Sequence, residues 1–405
     1  MYKILRNNDI VTYIMEHENL KSYFDTDRLQ IEEIGDGNLN FVFRISSKDD
    51  LEKSLILKQA VPYLRCAGEN YPLSKERMKF EIRALKLYQE LAADLVPRLY
   101  HSDEDMSLVV MEDLKTCKIL RKALIEKKRF DYFAEHISRF LADTLFFTSS
   151  LYLQSSEKRE LMDNFNSNTE LCKLTEDFVF TFPYMKHETN VIEEKNIALA
   201  HKLFSDYNFK IEVLELKYIF MNFSEALLHG DLHTGSIMVD QNRTKVIDPE
   251  FAFFGPIGFD IGALMANLFN SYISHKVLQT PVEYRNWILS VAKKIWNGFE
   301  SRFLDLWRQH TESALLTQGF IPDIETEIYR KRFLEQILKH SCGFAGCKMA
   351  RRVFGIAGTE EIRGIKDPNQ RSKAQRIALR CGTSLVKSWK NIKNFEEIIN
   401  IVEEI

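Results

Sequence analysis

At 405 residues, with 45% hydrophobic and 12% aromatic side chains, the chain can bury two adjoining cores, so two lobes are expected. A net charge of −3, with basic residues scattered rather than banded, lacks the electrostatic footprint of nucleic-acid binding and leaves small acidic or neutral partners open. The six cysteines form no CxxC pair, the N-terminal "MYKILRNNDIVTYIMEHENL" carries charges where a signal peptide needs an apolar run, and the most apolar segment, Phe259 to Phe269, is too short to span a bilayer, so a reducing cytoplasmic setting without a membrane is expected.

The first hundred residues read mainly as strands. "LNFVFRI" puts Leu39, Phe41, Phe43 and Ile45 on one side in strict alternation, and "SLILKQA" is a short apolar run between polar residues. From Ser74, the expected N-cap, to Ala92 the period changes, with Met78, Ile82 and Leu85 at helical spacing. "RLYH" and "SLVVMED" then resume the β pattern, and a small antiparallel lobe is expected over residues 1–112. Helical patterns dominate the rest, as in "DYFAEHISRFLADTLFF" and "FLEQILKHSCGFAG", so 113–405 is expected to form a larger, mainly α lobe. The expected class is α+β with two lobes.

The helical lobe is interrupted by "LLHGDLHTGSIMVDQNRTKVIDPEF", Leu227 to Phe251. "SIMV" and "KVID" are β-rich runs of matching length, and "DQNR" between them is made of turn formers, which predicts a hairpin bringing Asp231 and Asp248 to the same end. Phosphoryl transfer needs such carboxylates: one orients and deprotonates the attacking hydroxyl, and another holds the Mg²⁺ that bridges the phosphates. HGD followed seventeen residues later by an Asp at a strand end is a signal for that chemistry.

"HGDLHTGSIM", "DPEFAFFGP", "GDGNLNFVFRI" and "CKMARRV" resemble the methylthioribose kinase family, within the kinase-like group that also holds aminoglycoside and choline kinases. The similarity runs from about Glu33 to Val353. The resemblance implies a bilobal kinase-like fold, a homodimer, and transfer of the γ-phosphate of ATP to the anomeric hydroxyl of 5-methylthioribose in methionine salvage. Another hydroxyl acceptor of the aminoglycoside or choline type, or a nucleotide-binding scaffold without catalysis, stays open beside it.

Carried onto this sequence, Asp231 becomes the catalytic base. Gly35, Gly37, Asn38 and Asn40 become the phosphate loop, where missing Cβ atoms let backbone approach the nucleotide. Lys58 pairs with Glu81, a carboxylate on an apolar helix stripe that needs a partner, and reaches the phosphates. The segment Met111, Glu112, Asp113 and Leu114 stands where a hinge reads adenine through main-chain groups. Relatives in the wider kinase group place Asn five residues after the catalytic Asp, whereas this chain has Ser236. Asp248, Pro249 and Glu250 then offer two charged oxygen ligands that could hold Mg²⁺ without the Asn. His229 and His233 are expected to brace the loop, and Asp260 to anchor it. Arg351 and Arg352 are expected to bind the sugar, from a loop that Gly355 and Gly358 would let lie across the cleft. Cys342 and Cys347, near His340, fit no common zinc spacing and are expected to be buried thiols.

Overall fold

The computed structural model describes residues 2–34, 39–63 and 72–404. It is a mixed α+β structure whose chain divides into two compact units: Met1–Cys117 together with Lys245–Ala252, and Lys118–Thr244 together with Phe253–Ile405.

The first unit starts with two helices, α1 (Asn7–Glu16) and α2 (Glu18–Phe24), where a strand-dominated segment was expected. The apolar residues Ile10, Tyr13, Ile14, Leu20 and Phe24 recur at helical spacing, and tertiary burial stabilises helices that are too short to stand alone. The strands β1 (Leu29–Glu33), β2 (Asn40–Ser47) and β3 (Ser54–Ala60) precede helix α3 (Arg77–Ala92), and β4 (Leu99–Asp103) and β5 (Leu108–Glu112) follow it. They form one antiparallel sheet in the order β1-β2-β3-β5-β4. Alternation divides its faces: Phe43, Ile45, Leu55, Leu57, Leu108 and Val110 share a core with α1 and α2. Lys58 lies on the opposite face, where it meets Glu81 of α3. Met78, Ile82 and Leu85 of α3 are buried as their spacing required. The helix begins three residues after Ser74, whose hydroxyl instead accepts the Glu76 N–H in the preceding turn.

In the second unit β6 (Lys118–Ile119) leads into α4 (Leu120–Ile125), α5 (Phe133–Phe147), α6 (Ser155–Asp163), α7 (Thr169–Phe180), α8 (Ile197–Phe204) and α9 (Tyr207–Asn222). The short strands β7 (Ala226–Leu228), β8 (Ile237–Val239), β9 (Thr244–Val246) and β10 (Phe253–Gly255) come next, followed by α10 (Gly258–Val277), α11 (Val282–Gln309), α12 (Asp323–Phe354), α13 (Glu360–Arg363), α14 (Pro368–Ser388) and α15 (Phe395–Glu403). The β8 and β9 strands are the expected hairpin, with β6 added to its edge, and β7 pairs with β10. The partition between units falls inside β9, after Thr244.

Glycines set how closely α12 is held. A Cβ on Gly262 of α10 would come within 2.6 Å of the Ser341 carbonyl oxygen of α12. One on Gly346 of α12 would come within 2.5 Å of the Gly382 carbonyl oxygen of α14. With no Cβ at either position, α12 is clamped between its two neighbours, and its buried C-terminal half is fixed in place. Among the described residues no helix is long and apolar enough to cross a membrane.

Candidate active site

In the second unit, the loop after β7 presents Asp231. Gly230 adopts φ +82°, a left-handed conformation that glycine takes without a Cβ penalty. The carboxylate of Asp260, in the first turn of α10, accepts the backbone N–H groups of His229 at 2.6 Å and Gly230 at 3.1 Å, so the loop is anchored as expected. Both histidines brace the same loop. His229 Nδ1 accepts the Asp231 N–H at 3.3 Å, and His233 Nδ1 accepts the Gly235 N–H at 2.9 Å. The latter bond leaves the His233 proton on Nε2, 3.3 Å from Asp231 Oδ2. Burial holds His233 well below the usual imidazole range, so this partner is neutral.

The Asp231 side chain is 24% exposed and faces a cluster of cations carried by α12. Lys348 Nζ donates to Asp231 Oδ1 at 3.2 Å, and Arg351 Nη2 lies 3.9 Å from the same oxygen. Burial pushes the Asp231 carboxyl up, but the Nε2–H of neutral His233, 3.3 Å away, and the charges of Lys348, Arg351 and Arg352 outweigh it and hold the group well below the ordinary range, so it is ionised. Lys348 is buried, with its ammonium 4.5 Å from the Phe259 ring centroid. Burial and the neighbouring arginines lower it to about 8, against the pull of Asp231. Arg352 donates to the Ala357 carbonyl at 2.9 Å. The buried Nε groups of Arg351 and Arg352 have no hydrogen-bond partner among the described residues.

Two differences from the sequence reading concern this cluster. Arg351 and Arg352 stand in the last turn of a buried helix rather than in a loop, and Gly355 only ends it. Lys348 was missed. Lys348, Arg351 and Arg352 lie at i, i+3 and i+4, which puts three cations on one helical face among apolar neighbours, and that spacing is the signal that could have found it.

In the first unit, Lys58 is the centre of a carboxylate group. Its Nζ lies 2.8 Å from Glu81 and 2.7 Å from Asp248 Oδ1. Burial works against the ammonium, but Asp248, Glu81 and Glu250 together raise its pKa above the ordinary lysine range. For fully buried Glu81, burial wins over Lys58 and raises the carboxyl. Asp248 adopts φ +61°, a left-handed conformation strained for a non-glycine residue, and 44% of its side chain is exposed. Pro249 then opens a one-turn 3₁₀ helix, Pro249–Phe251. Glu250 is buried; it accepts from Asn40 Nδ2 at 3.0 Å and lies 3.4 Å from Arg77 Nε. Arg77 in turn donates to the Asn40 side chain and the Leu39 carbonyl. Asn40, Arg77 and Glu250 thus bind β2, α3 and the DPE turn together.

At the end of β5, Asp113 is committed to structure, accepting from Arg44 Nε at 2.8 Å and Ser54 Oγ at 2.7 Å. Glu112 pairs with Lys245 at 3.3 Å, and Leu114 is buried. These side chains leave main-chain groups as the part of the segment suited to reading a base. Gly35, Gly37 and Asn38 lie outside the described residues. Cys342 and Cys347 are buried free thiols.

Residues 191–280 match the phosphotransferase enzyme family. A methylthioribose kinase from Geobacillus sp. (strain WCH70) is 40% identical over 91% of this chain and 89% of its own length. Methylthioribose kinase 1 from Oryza sativa subsp. japonica is 38% identical over 92% and 88%, and the Geobacillus kaustophilus enzyme 41% over 88% and 87%. Among solved structures, a glucosamine kinase in complex with glucosamine, ADP and inorganic phosphate is 11% identical, covers 86% of this chain and 85% of its own, and has a TM-score of 0.45, a likeness too slight to carry chemistry.

Proposed function

The chain belongs to the methylthioribose kinase family, and from that premise we propose that it transfers the γ-phosphoryl group of ATP to the anomeric hydroxyl of 5-methylthioribose, giving 5-methylthioribose 1-phosphate in methionine salvage. The observation that carries the reading is the ionised Asp231 facing Lys348, Arg351 and Arg352. A carboxylate of low basicity is a weak base in the ground state. In a loose phosphoryl-transfer transition state the hydroxyl proton leaves late, so Asp231 first orients the hydroxyl and then accepts its proton. The adjacent cations suit the negative charge on the incoming phosphoryl group and donate to sugar hydroxyls.

On the first unit, Lys58, oriented by Glu81, would bind the nucleotide phosphates, aided by Gly37 and Asn38, while Asn40, buried with both ends of its amide engaged by Glu250 and Arg77, braces β2 and the Glu112–Leu114 backbone reads adenine. Two hard oxygen ligands suit magnesium: Asp248 offers a half-exposed carboxylate, and Glu250, two residues on, a buried one held in place by Asn40 and Arg77. Asp248 and Glu250 would hold the ion, which supplies charge neutralisation on the phosphates when bound. We further propose a cytoplasmic homodimer. Tyr207, Ile211, Leu214, Tyr218 and Met221 repeat at four- and three-residue steps along α9 and are each 54–71% exposed, an apolar stripe suited to a second copy.

The deciding experiment is a coupled ADP-release assay with methylthioribose, choline and kanamycin offered separately. Turnover only with methylthioribose is expected; turnover with another acceptor alone moves the substrate assignment, and none with any of them returns the scaffold alternative.

Two further results are expected here. Arg352→Lys, and to an equal or lesser degree Arg351→Lys, should lower kcat/KM for methylthioribose by at least about tenfold, roughly 1.4 kcal/mol, because lysine lacks the planar multiple donors. Calorimetric ATP affinity should hardly change; near-normal sugar kinetics in both variants would remove the arginines from the acceptor site. The second concerns pH. Lys348 pairs with Asp231 only as the ammonium, and its lowered pKa of about 8 places the loss of charge just above neutrality. The kcat/KM profile of the wild type should therefore fall on its alkaline side from about pH 8, and Lys348→Arg should move that fall to higher pH. An alkaline limb unchanged by the substitution would exclude Lys348 as its source.

A further inference from the structure

Away from all of these residues, the first unit brings His17, His101 and Asp103 together. His17 sits between α1 and α2, whereas His101 and Asp103 stand two residues apart on the edge strand β4 and so share a face. One ring nitrogen from each histidine and a carboxylate oxygen of Asp103 all lie within 4.8 Å of one another, and the three residues are half-buried. The imidazole rings meet edge to face with centroids 4.6 Å apart.

The surroundings fix these groups in orientation. His17 Nδ1 is 2.7 Å from the Tyr13 carbonyl, which can only accept, so the proton lies on Nδ1 and the lone pair on Nε2. The His17 ring stacks on Tyr13 at 4.1 Å. Tyr13 Oη reaches His101 Nε2 and Asp103 Oδ2, both at 2.9 Å, and Asp103 Oδ1 accepts the Met106 N–H at 2.9 Å. Two imidazole nitrogens and one carboxylate oxygen are a donor set that suits Zn²⁺ and is poorly matched to Mg²⁺. Ligand atoms around a tetrahedral zinc at ~2.0–2.1 Å stand about 3.4 Å apart. The three ligand atoms, already within 4.8 Å of one another, would draw together on binding, and the fourth position is left to water or the Tyr13 hydroxyl.

We propose that His17, His101 and Asp103 form a zinc-type site that ties the α1–α2 pair to the edge of the sheet carrying Lys58. This site is independent of the phosphoryl-transfer residues and does not rest on the proposed activity.

The test uses the full chain after chelator treatment, titrated with Zn²⁺ by calorimetry in the presence of saturating Mg²⁺, which fills sites made only of hard oxygens. One Zn²⁺ per chain with micromolar or tighter Kd is expected, with a rise of several degrees in Tm that EDTA reverses. His17→Ala and His101→Ala should each weaken binding at least tenfold. If His101→Ala does not fold, half-exposed His17→Gln and the visible ligand-field spectrum of the Co²⁺-loaded wild type decide, since a nitrogen-containing four-coordinate site absorbs strongly and a hexa-aqua ion does not. Absence of Zn²⁺ binding by the wild type, or binding undiminished in the His17 variants, overturns the proposal.

Discussion

Asp231→Asn is expected to fold, to bind ATP as the wild type does, and to lose kcat by about 10² to 10⁴, the range over which a positioned base contributes. Charge rather than size decides the outcome. The amide keeps the side chain's shape, but it cannot take the hydroxyl proton, and it removes the anion that Lys348 and Arg351 surround. Lys348, already lowered to about 8 by burial, loses the one neighbour raising it and will titrate lower still. Two readouts therefore belong together: a kcat loss of roughly 3–5 kcal/mol equivalent, and unchanged calorimetric ATP affinity, because no nucleotide contact is assigned to Asp231. A variant with wild-type kcat would end its assignment as the base.

Lys58→Met is expected to damage both stability and nucleotide binding, and the two losses can be separated. Lys58 is the ammonium between Glu81, whose side chain is fully buried, and Asp248. Removing one partner of a buried pair leaves an uncompensated charge and costs about 3–5 kcal/mol. The sign of the pH effect follows from Glu81, whose folded-state pKa lies above its unfolded value because burial outweighs Lys58. Such a group favours the folded state most strongly below its unfolded pKa, and that contribution is lost as pH rises through its folded pKa. Without the ammonium the folded pKa moves further up, so the deficit in urea midpoint should be largest near pH 8 and shrink toward pH 5. The double variant Lys58→Met/Glu81→Leu should recover much of the midpoint but none of the ATP affinity. If the single variant matches the wild type in midpoint across that range, the pair is not a buried coupled one. If the double variant regains ATP binding, Lys58 is not a phosphate ligand.

What could be read in advance follows from where local chemistry is decisive. Strict alternation in β2, the apolar run of β3 and the turn formers between β8 and β9 identify the sheet and the hairpin, because strand periodicity and turn chemistry act over a few residues. The Lys58–Glu81 pair was legible for a similar reason: a carboxylate on the buried stripe of α3 must have a cation, and the apolar strand preceding it ends in one. The α1 and α2 helices were not legible in this way. They are short and polar at their exposed faces, and only packing on the sheet stabilises them.

By itself, the sequence determined the α+β class, the β-rich beginning and helical remainder, the acids Asp231, Asp248 and Glu250, and, through its motifs, the family. Tertiary structure alone decided which groups answer those acids. It packs Lys245–Ala252 with the first unit, ties Glu250 to Asn40 and Arg77 across some two hundred residues of chain, and swings Lys348 of α12 onto Asp231, 117 positions away. It also brings His17 to His101 and Asp103. Periodicity specifies which face of an element is buried, but a buried charge is matched by whatever partner the packing of distant elements delivers. That pairing is a property of the folded chain as a whole.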